Sequence, residues 1–136
     1  MSDADLRRRI FGFFADERRA PTPTEVAAHA ADYRRLADSH ALVLSADGGI
    51  RIANPFSGVA TGTTAEADGR TWDANCVWDG LGILAALGAD GTVHTTCADC
   101  GEAIAVEVRG GELAPVEAVA HFLVPAARWY DDLVHT

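Results

Sequence analysis

The most constraining feature of this sequence is a change of hydrophobic periodicity at Asn54-Pro55. Before it, apolar residues recur at the 3.6-residue spacing of amphipathic helices; after it, they form short runs bounded by Gly, Thr and Pro, which is typical of strands. Helices followed by strands, rather than alternating with them, predict the α+β class. We expect an N-terminal helical domain over residues 1–53 and a small mixed β-sheet and helix core over residues 54–136.

The N-terminal segment has the element order of a winged helix-turn-helix. Ser2 is placed to cap a first helix, and Thr22-Pro23-Thr24-Glu25 matches a capping box that opens a short second helix through Ala30. Residues 32–39 predict a third helix, and Ser-Ala-Asp-Gly-Gly between residues 41–44 and 50–53 predicts a hairpin. The expected buried face of the first helix consists of Leu6, Ile10, Phe13 and Phe14.

The second segment predicts a buried helix among short strands. Val77–Leu87 is apolar enough to be that helix, and the Arg109–Glu112 sequence predicts a turn. The other expected elements are a strand with loops within residues 58–69, strands over residues 92–96, 103–108 and 119–124, and a final segment over residues 126–132 that starts at Pro125.

The charge distribution excludes several classes of protein. The formal net charge is −9, and residues 53–136 supply all of it because eight Arg balance eight acids in residues 1–52. This acid excess argues against nonspecific nucleic-acid binding and against attachment to an anionic membrane. No apolar run approaches the ~20 residues of a spanning helix. With three cysteines and no signal-peptide pattern, reduced thiols and a cytoplasmic location are expected.

Cys76 and Asp79 form the sharpest candidate catalytic cluster. Cys76 lies at the expected start of a helix, where backbone N–H groups and the helix dipole lower a thiol pKa. Asp79 follows three residues later and falls on the same helical face. The pair suits a reactive thiolate beside a proton-carrying carboxylate. The alternative is a buried small hydrophobe next to an ordinary first-turn acid.

A second cluster lies between two expected strands. Cys97-Ala-Asp-Cys100-Gly101 has the spacing of a metal knuckle, in which Gly permits the tight turn. A closed tetrahedral zinc site would need two further ligands, and His94, His121 and Cys76 are the candidates. The same pair could instead be a redox dithiol or a simple strand-turn.

Four stretches of the sequence resemble the organomercurial (alkylmercury) lyases: residues 70–81, 94–101, 114–117 and 119–125. The resemblance runs from about Asn54 to the C-terminus, and the helical N-terminal part agrees with that family's organisation. It implies that two cysteine thiolates capture the mercury of R–Hg⁺ while an aspartate protonates the carbon. Thiolates are the soft ligands that Hg(II) prefers. Cys76 matches the first cysteine, Asp79 matches the aspartate, and Cys97 matches a further cysteine whose role looks structural.

The second mercury-binding cysteine of the family follows the segment that corresponds to residues 128–136, and the sequence holds no cysteine there. Cys100 is the expected substitute if its turn folds over Cys76, which makes Cys76, Cys97 and Cys100 the candidate metal ligands. An external thiol is the other source of a second sulfur. Trp72, Trp78 and Phe56 could wall the substrate site or belong to the core.

These observations leave three hypotheses about function. The first is an enzyme that cleaves a carbon–mercury bond, or acts on another substrate, with mercury as substrate and no resident cofactor required. The second is a thiolate module that binds mercury or zinc without turnover. The third is a transcription regulator with a winged-helix domain, which the zero net charge of residues 1–52 disfavours.

Overall fold

The computed structural model describes residues 1–119 and 125–132. Helix α1 spans Asp3–Glu17 and begins at Ser2, whose hydroxyl oxygen accepts a hydrogen bond from the Asp5 N–H at 3.1 Å. Its buried face holds Leu6, Ile10 and Phe14, as the spacing predicts, whereas Phe13 is only partly buried.

The second helical segment is shorter than expected. It is a 3₁₀ helix over Pro23–Val26, and it stops there because Ala27 takes a left-handed conformation with φ 56°. One arm of the expected capping box is present, since the Thr22 N–H donates to Glu25 Oε2 at 2.8 Å. Helix α2 then spans Ala30–Asp38. The winged-helix arrangement of these elements stays a prediction.

In the described part of the chain, eight strands form one sheet in which all neighbours pair antiparallel. The order across the sheet is β1-β2-β3-β5-β4-β6-β7-β8. The expected hairpin, β1 and β2, therefore joins the same sheet as the later strands, and the division into two domains at residue 53 stays a prediction. The strands are β1 (Val43–Leu44), β2 (Ile50–Ala53), β3 (Phe56–Ser57), β4 (Thr63–Ala67), β5 (Arg70–Ala74), β6 (Gly91–Thr96), β7 (Ala103–Arg109) and β8 (Glu112–Leu113).

Helix α3 has the predicted bounds, Val77–Leu87, and packs on β4, β5 and β6. Its close approach to β6 depends on Gly80, where an added Cβ would lie 2.6 Å from Val93 Cγ1. The helix ends at Gly88, whose φ of 60° permits the left-handed cap that most side chains disfavour. The sheet and α3 confirm the α+β class.

The strands differ from the sequence expectations in two respects. Strands β3 and β5 were not expected, because Gly and Thr around them hide their alternation. The strand expected over residues 119–124 falls mostly outside the described residues, and Val119 lies in no strand and is 92 % exposed. Instead, β8 follows the Gly110-Gly111 turn directly, and the final segment is a 3₁₀ helix over Ala126–Asp131.

Helix α1 and the sheet share one hydrophobic core. The indole N–H of Trp72 on β5 donates to the carbonyl oxygens of Phe14 and Ala15, at 3.0 and 3.1 Å. The Phe14 ring stacks on Phe56 of β3 with 5.2 Å between centroids. These contacts hold the N-terminal helix against the strand that leads into α3. Within the described ranges, no helix has the length and apolar character needed to span a membrane.

Candidate active site at the start of helix α3

Cys76 lies where β5 gives way to α3. The last residue of β5, Ala74, pairs with both Phe56 and Thr63, and its carbonyl oxygen also accepts the hydroxyl of Thr61. Cys76 itself is extended, with φ −151° and ψ 177°, and its carbonyl oxygen accepts the Gly80 N–H at 3.0 Å. Cys76 is therefore the N-cap residue, as the sequence predicts, and its backbone is held by the strand on one side and the helix on the other.

The side chains of Cys76 and Asp79 are in contact. The Cys76 thiol donates to Asp79 Oδ2 across 3.6 Å, within hydrogen-bonding range for sulfur. Both residues are partly buried. The three-residue spacing thus brings a soft nucleophile and a carboxylate together in the first turn of α3, shielded in part from bulk water.

The electrostatics of the pair differ from the sequence expectation. Burial raises the pKa of the Cys76 thiol, and the nearby Asp79 charge adds to that increase. The backbone N–H groups of Asp79 and Trp78 favour the thiolate but do not outweigh the burial, so the expected lowering of the Cys76 pKa is wrong. Burial also raises the pKa of Asp79, although its hydrogen bond with Cys76 opposes the increase. Each group therefore holds its proton more strongly than in water.

Cys97 and Cys100 occupy a tight turn after β6. The turn is closed by the Cys97 N–H donating to the Glu102 carbonyl at 2.8 Å and the Gly101 N–H donating to the Cys97 carbonyl at 2.9 Å. Gly101 has φ 70°, which explains why glycine follows the pair. The N–H groups of Cys100 and Asp99, and then the Cys100 thiol, hydrogen-bond the Cys97 sulfur and lower its pKa.

The expected multi-ligand metal sites do not assemble. Among residues 1–119 and 125–132, no group of three or more His, Cys, Asp or Glu side chains could hold a metal ion. A zinc site at Cys97 and Cys100, and a joint site that adds Cys76, therefore lack support. His94 instead places Nε2 3.3 Å from Glu66 Oε2 on the neighbouring strand, and His121 lies outside the described residues.

Comparison with known protein families identifies the family of this chain. The family model of the alkylmercury lyase, MerB, matches residues 56–136. The chain belongs to the alkylmercury lyase family. The matched region begins at β3 and contains all three cysteines and Asp79, so the resemblance identified from the sequence motifs is confirmed.

A solved structure of a family member supports the same assignment. The crystal structure of the mercury-bound form of MerB2 matches with a TM-score of 0.63 and 28 % sequence identity, over 82 % of this chain. The match covers 59 % of the MerB2 chain, so the present chain spans about three fifths of that relative's length. A comparison with curated protein sequences finds no match.

The three aromatic residues considered for the substrate site have different surroundings. Trp72 is 1 % exposed and belongs to the hydrophobic core. Phe56 is 3 % exposed and stacks on Phe14, so it belongs to the hydrophobic core beside Ala74. Trp78 is 57 % exposed and lines a groove of about 670 Å³ between α3 and the β7–β8 hairpin, together with Leu81 and Leu113. Their contact with substrate, like that of Cys100, stays a prediction.

Sequence reasoning missed one residue that supports the site, Thr61, and a second partly buried carboxylate nearby, Asp73. Thr61 hydrogen-bonds the Ala74 carbonyl oxygen and so fixes the strand end that leads to Cys76. Asp73 is partly buried on β5, and this burial raises its pKa. Both were overlooked because β5 was not expected; the alternation of buried Trp72 and Ala74 with Asp73 was the available signal.

Proposed function

We propose that this protein cleaves the carbon–mercury bond of an organomercurial by protonolysis, with Cys76 as the mercury ligand and Asp79 as the proton carrier. The observation that carries the proposal is the 3.6 Å contact between the Cys76 thiol and Asp79 Oδ2 in a member of the alkylmercury lyase family. Thiolates are the soft ligands that suit a cation such as Hg(II). The adjacent carboxylate can receive the proton that the thiol must lose.

The proposed first step is capture of the substrate R–Hg–X. The Cys76 sulfur bonds to mercury, X leaves as an anion or an external thiolate, and the thiol proton passes along the existing hydrogen bond to Asp79. The raised pKa of Cys76 does not prevent this step, because the S–Hg bond replaces the S–H bond. The raised pKa of Asp79 favours its keeping the proton once it has arrived.

The second step breaks the carbon–mercury bond. A second sulfur ligand on mercury increases the electron density on the carbon, and Asp79 then donates its proton to that carbon. The hydrocarbon R–H leaves, mercury remains bound to sulfur as Hg(II), and Asp79 returns to its carboxylate form. An external thiol or Cys100 supplies the second sulfur in this scheme. Asp79 thus acts as a general acid whose proton comes from the thiol.

The test is a single-turnover assay with phenylmercury and an external monothiol, in which released benzene is measured by gas chromatography. Removing a general acid typically slows a reaction about 10²- to 10⁴-fold, so Asp79→Asn should bind phenylmercury but release benzene at least about 100-fold more slowly. Cys76→Ser should release no benzene, because it has no thiol that holds mercury beside Asp79. Asp73→Asn is the matched control, because Asp73 is also a partly buried carboxylate with a raised pKa but lies on β5.

The assay also separates this function from a binding module without turnover. Wild-type protein that retains phenylmercury without releasing benzene would favour the module. Benzene release by Asp79→Asn at the wild-type rate would refute the role of Asp79. A loss in Asp73→Asn equal to that in Asp79→Asn would show that any buried carboxylate change disturbs the site.

A further inference from the structure

The proposed chemistry gives Cys97 no role and names its neighbour Cys100 only as an alternative to an external thiol. Cys97 is partly buried and Cys100 is exposed. The Cys97–Glu102 and Gly101–Cys97 backbone hydrogen bonds close the tight turn that carries both cysteines. The two thiols, separated by two residues, therefore lie on one backbone segment that is already held in place.

The turn lies at the same end of the sheet as Cys76. Residue Ala74 of β5 pairs with Thr63 of β4, and the Thr63 hydroxyl lies 2.7 Å from that of Thr95 on β6. Since neighbouring strands are about 4.8 Å apart, the backbones of Ala74 and Thr95 are about 10 Å apart across β4. Both strands run toward this edge, and Cys76 and Cys97 lie two residues after the aligned residues Ala74 and Thr95.

The number of available ligands limits which ion the turn could hold. Structural zinc requires four ligands, and the described residues offer no group of three or more. Two sulfur ligands are enough for a soft cation that binds two thiolates. Thiolate ligands prefer soft metals. Hg(II) is such a cation and is also the product of the proposed reaction.

We propose that Cys97 and Cys100 form a second mercury site, in which two thiolates bind Hg²⁺ independently of Cys76 and accept the ion that carbon–mercury cleavage leaves behind. The site rests on the proposed function only for the source of its ion.

Transfer to this site is a thiolate exchange that balances without any oxidant. The Cys97 thiolate bonds to mercury held on Cys76, and the Cys76–mercury bond breaks. The Cys100 thiol then loses its proton and replaces the remaining external thiolate on mercury, which leaves as the free thiol once it takes up that proton. The Cys76 thiolate recovers a proton from solvent. Mercury stays in the Hg(II) state throughout.

The test uses mercuric chloride, so it requires no carbon–mercury cleavage. Wild-type protein and the variants Cys76→Ser, Cys97→Ser and Cys100→Ser receive one Hg²⁺ per chain and are dialysed against about 0.1 mM 2-mercaptoethanol. That concentration is below the millimolar effective concentration of a second thiol on a short linker, so a two-thiol site retains mercury that a single cysteine loses. Protein-bound mercury is then measured by atomic absorption, and folding is checked by circular dichroism.

Wild type and Cys76→Ser should each retain about one Hg²⁺, and Cys97→Ser and Cys100→Ser should retain at least 10-fold less. The proposal fails if wild type retains none, if Cys76→Ser loses its mercury, or if either turn variant keeps it. Loss in Cys76→Ser and Cys100→Ser alone would pair those two residues instead. Because Cys100 is exposed, Cys100→Ser should fold, and its mercury retention tests the two-thiol site if Cys97→Ser fails to fold. Failure of benzene release by wild type would leave this retention pattern unchanged.

Discussion

Replacing Gly80 by Ala tests how closely helix α3 must approach the sheet. The new Cβ would lie 2.6 Å from Val93 Cγ1 and 3.1 Å from Val93 Cγ2. Carbon atoms attract best at about 3.5–4.0 Å, so α3 would have to move away from β6 by about 1 Å. Val93 is fully buried and cannot turn aside. Overpacking of this kind costs about 1–3 kcal/mol, against about 1 kcal/mol gained by replacing a helical Gly with Ala.

Gly12→Ala is the matched control, because Gly12 lies inside α1 with no atom within 4 Å of the added Cβ. Urea unfolding followed by circular dichroism should show Gly12→Ala stabilised by about 1 kcal/mol. Gly80→Ala should be less stable than Gly12→Ala by about 1–3 kcal/mol, and Val93→Ala in the same chain should reduce that difference. Equal stability of the two Gly→Ala variants would refute the packing argument.

Two further predictions concern titratable groups. The hydrogen bond from Arg19 lowers the pKa of Glu25 from 4.5 to about 2, so ionised Glu25 contributes stability that is complete above pH 4.5 and lost as the pH falls toward 2. The difference in free energy of unfolding between wild type and Glu25→Gln, measured by urea unfolding, should therefore decrease between pH 4.5 and 2. A difference that stays constant over that range would contradict the ion-pair explanation. Iodoacetamide at neutral pH should alkylate Cys97 faster than Cys76, because the pKa of Cys97 is lowered and that of Cys76 is raised. Peptide mass spectrometry measures both alkylation rates. Faster labelling of Cys76 would be incompatible with its burial.

The helices were accessible to sequence reasoning because their signals are local. Ser2 caps α1, and the apolar run over Val77–Leu87 coincides with α3. The strands around the site were harder to predict from the sequence. Strand β5 carries Trp72 and leads to Cys76, but its register depends on pairing with β3 and β4, contacts that are distant in sequence. The short second helix ended early because Ala27 takes a left-handed conformation that nothing in its sequence signals.

The candidate active site shows the same difference between features set by local sequence and features set by distant contacts. The contact between Cys76 and Asp79 is a consequence of helical spacing, and spacing alone predicted it. The direction of the Cys76 pKa depends on burial by the rest of the chain, and reasoning from the helix N-terminus gave the wrong sign. The position of the Cys97 turn relative to Cys76 depends on β4 lying between β5 and β6, which no local pattern reveals.

Burial of the Cys76–Asp79 pair has opposite consequences for stability and for the proposed chemistry. Burial raises the pKa of Asp79, so the folded protein is less stable with Asp79 ionised than with Asp79 protonated. This loss of stability grows as the pH rises through the ordinary titration range of a carboxyl group. A fully exposed aspartate would avoid that cost but would pass any proton it received to water. A thiol that gives its proton to a partly buried carboxylate keeps the proton within reach of the carbon that must receive it. The same burial that makes the start of α3 a poor place for charge therefore makes it a suitable place for proton delivery.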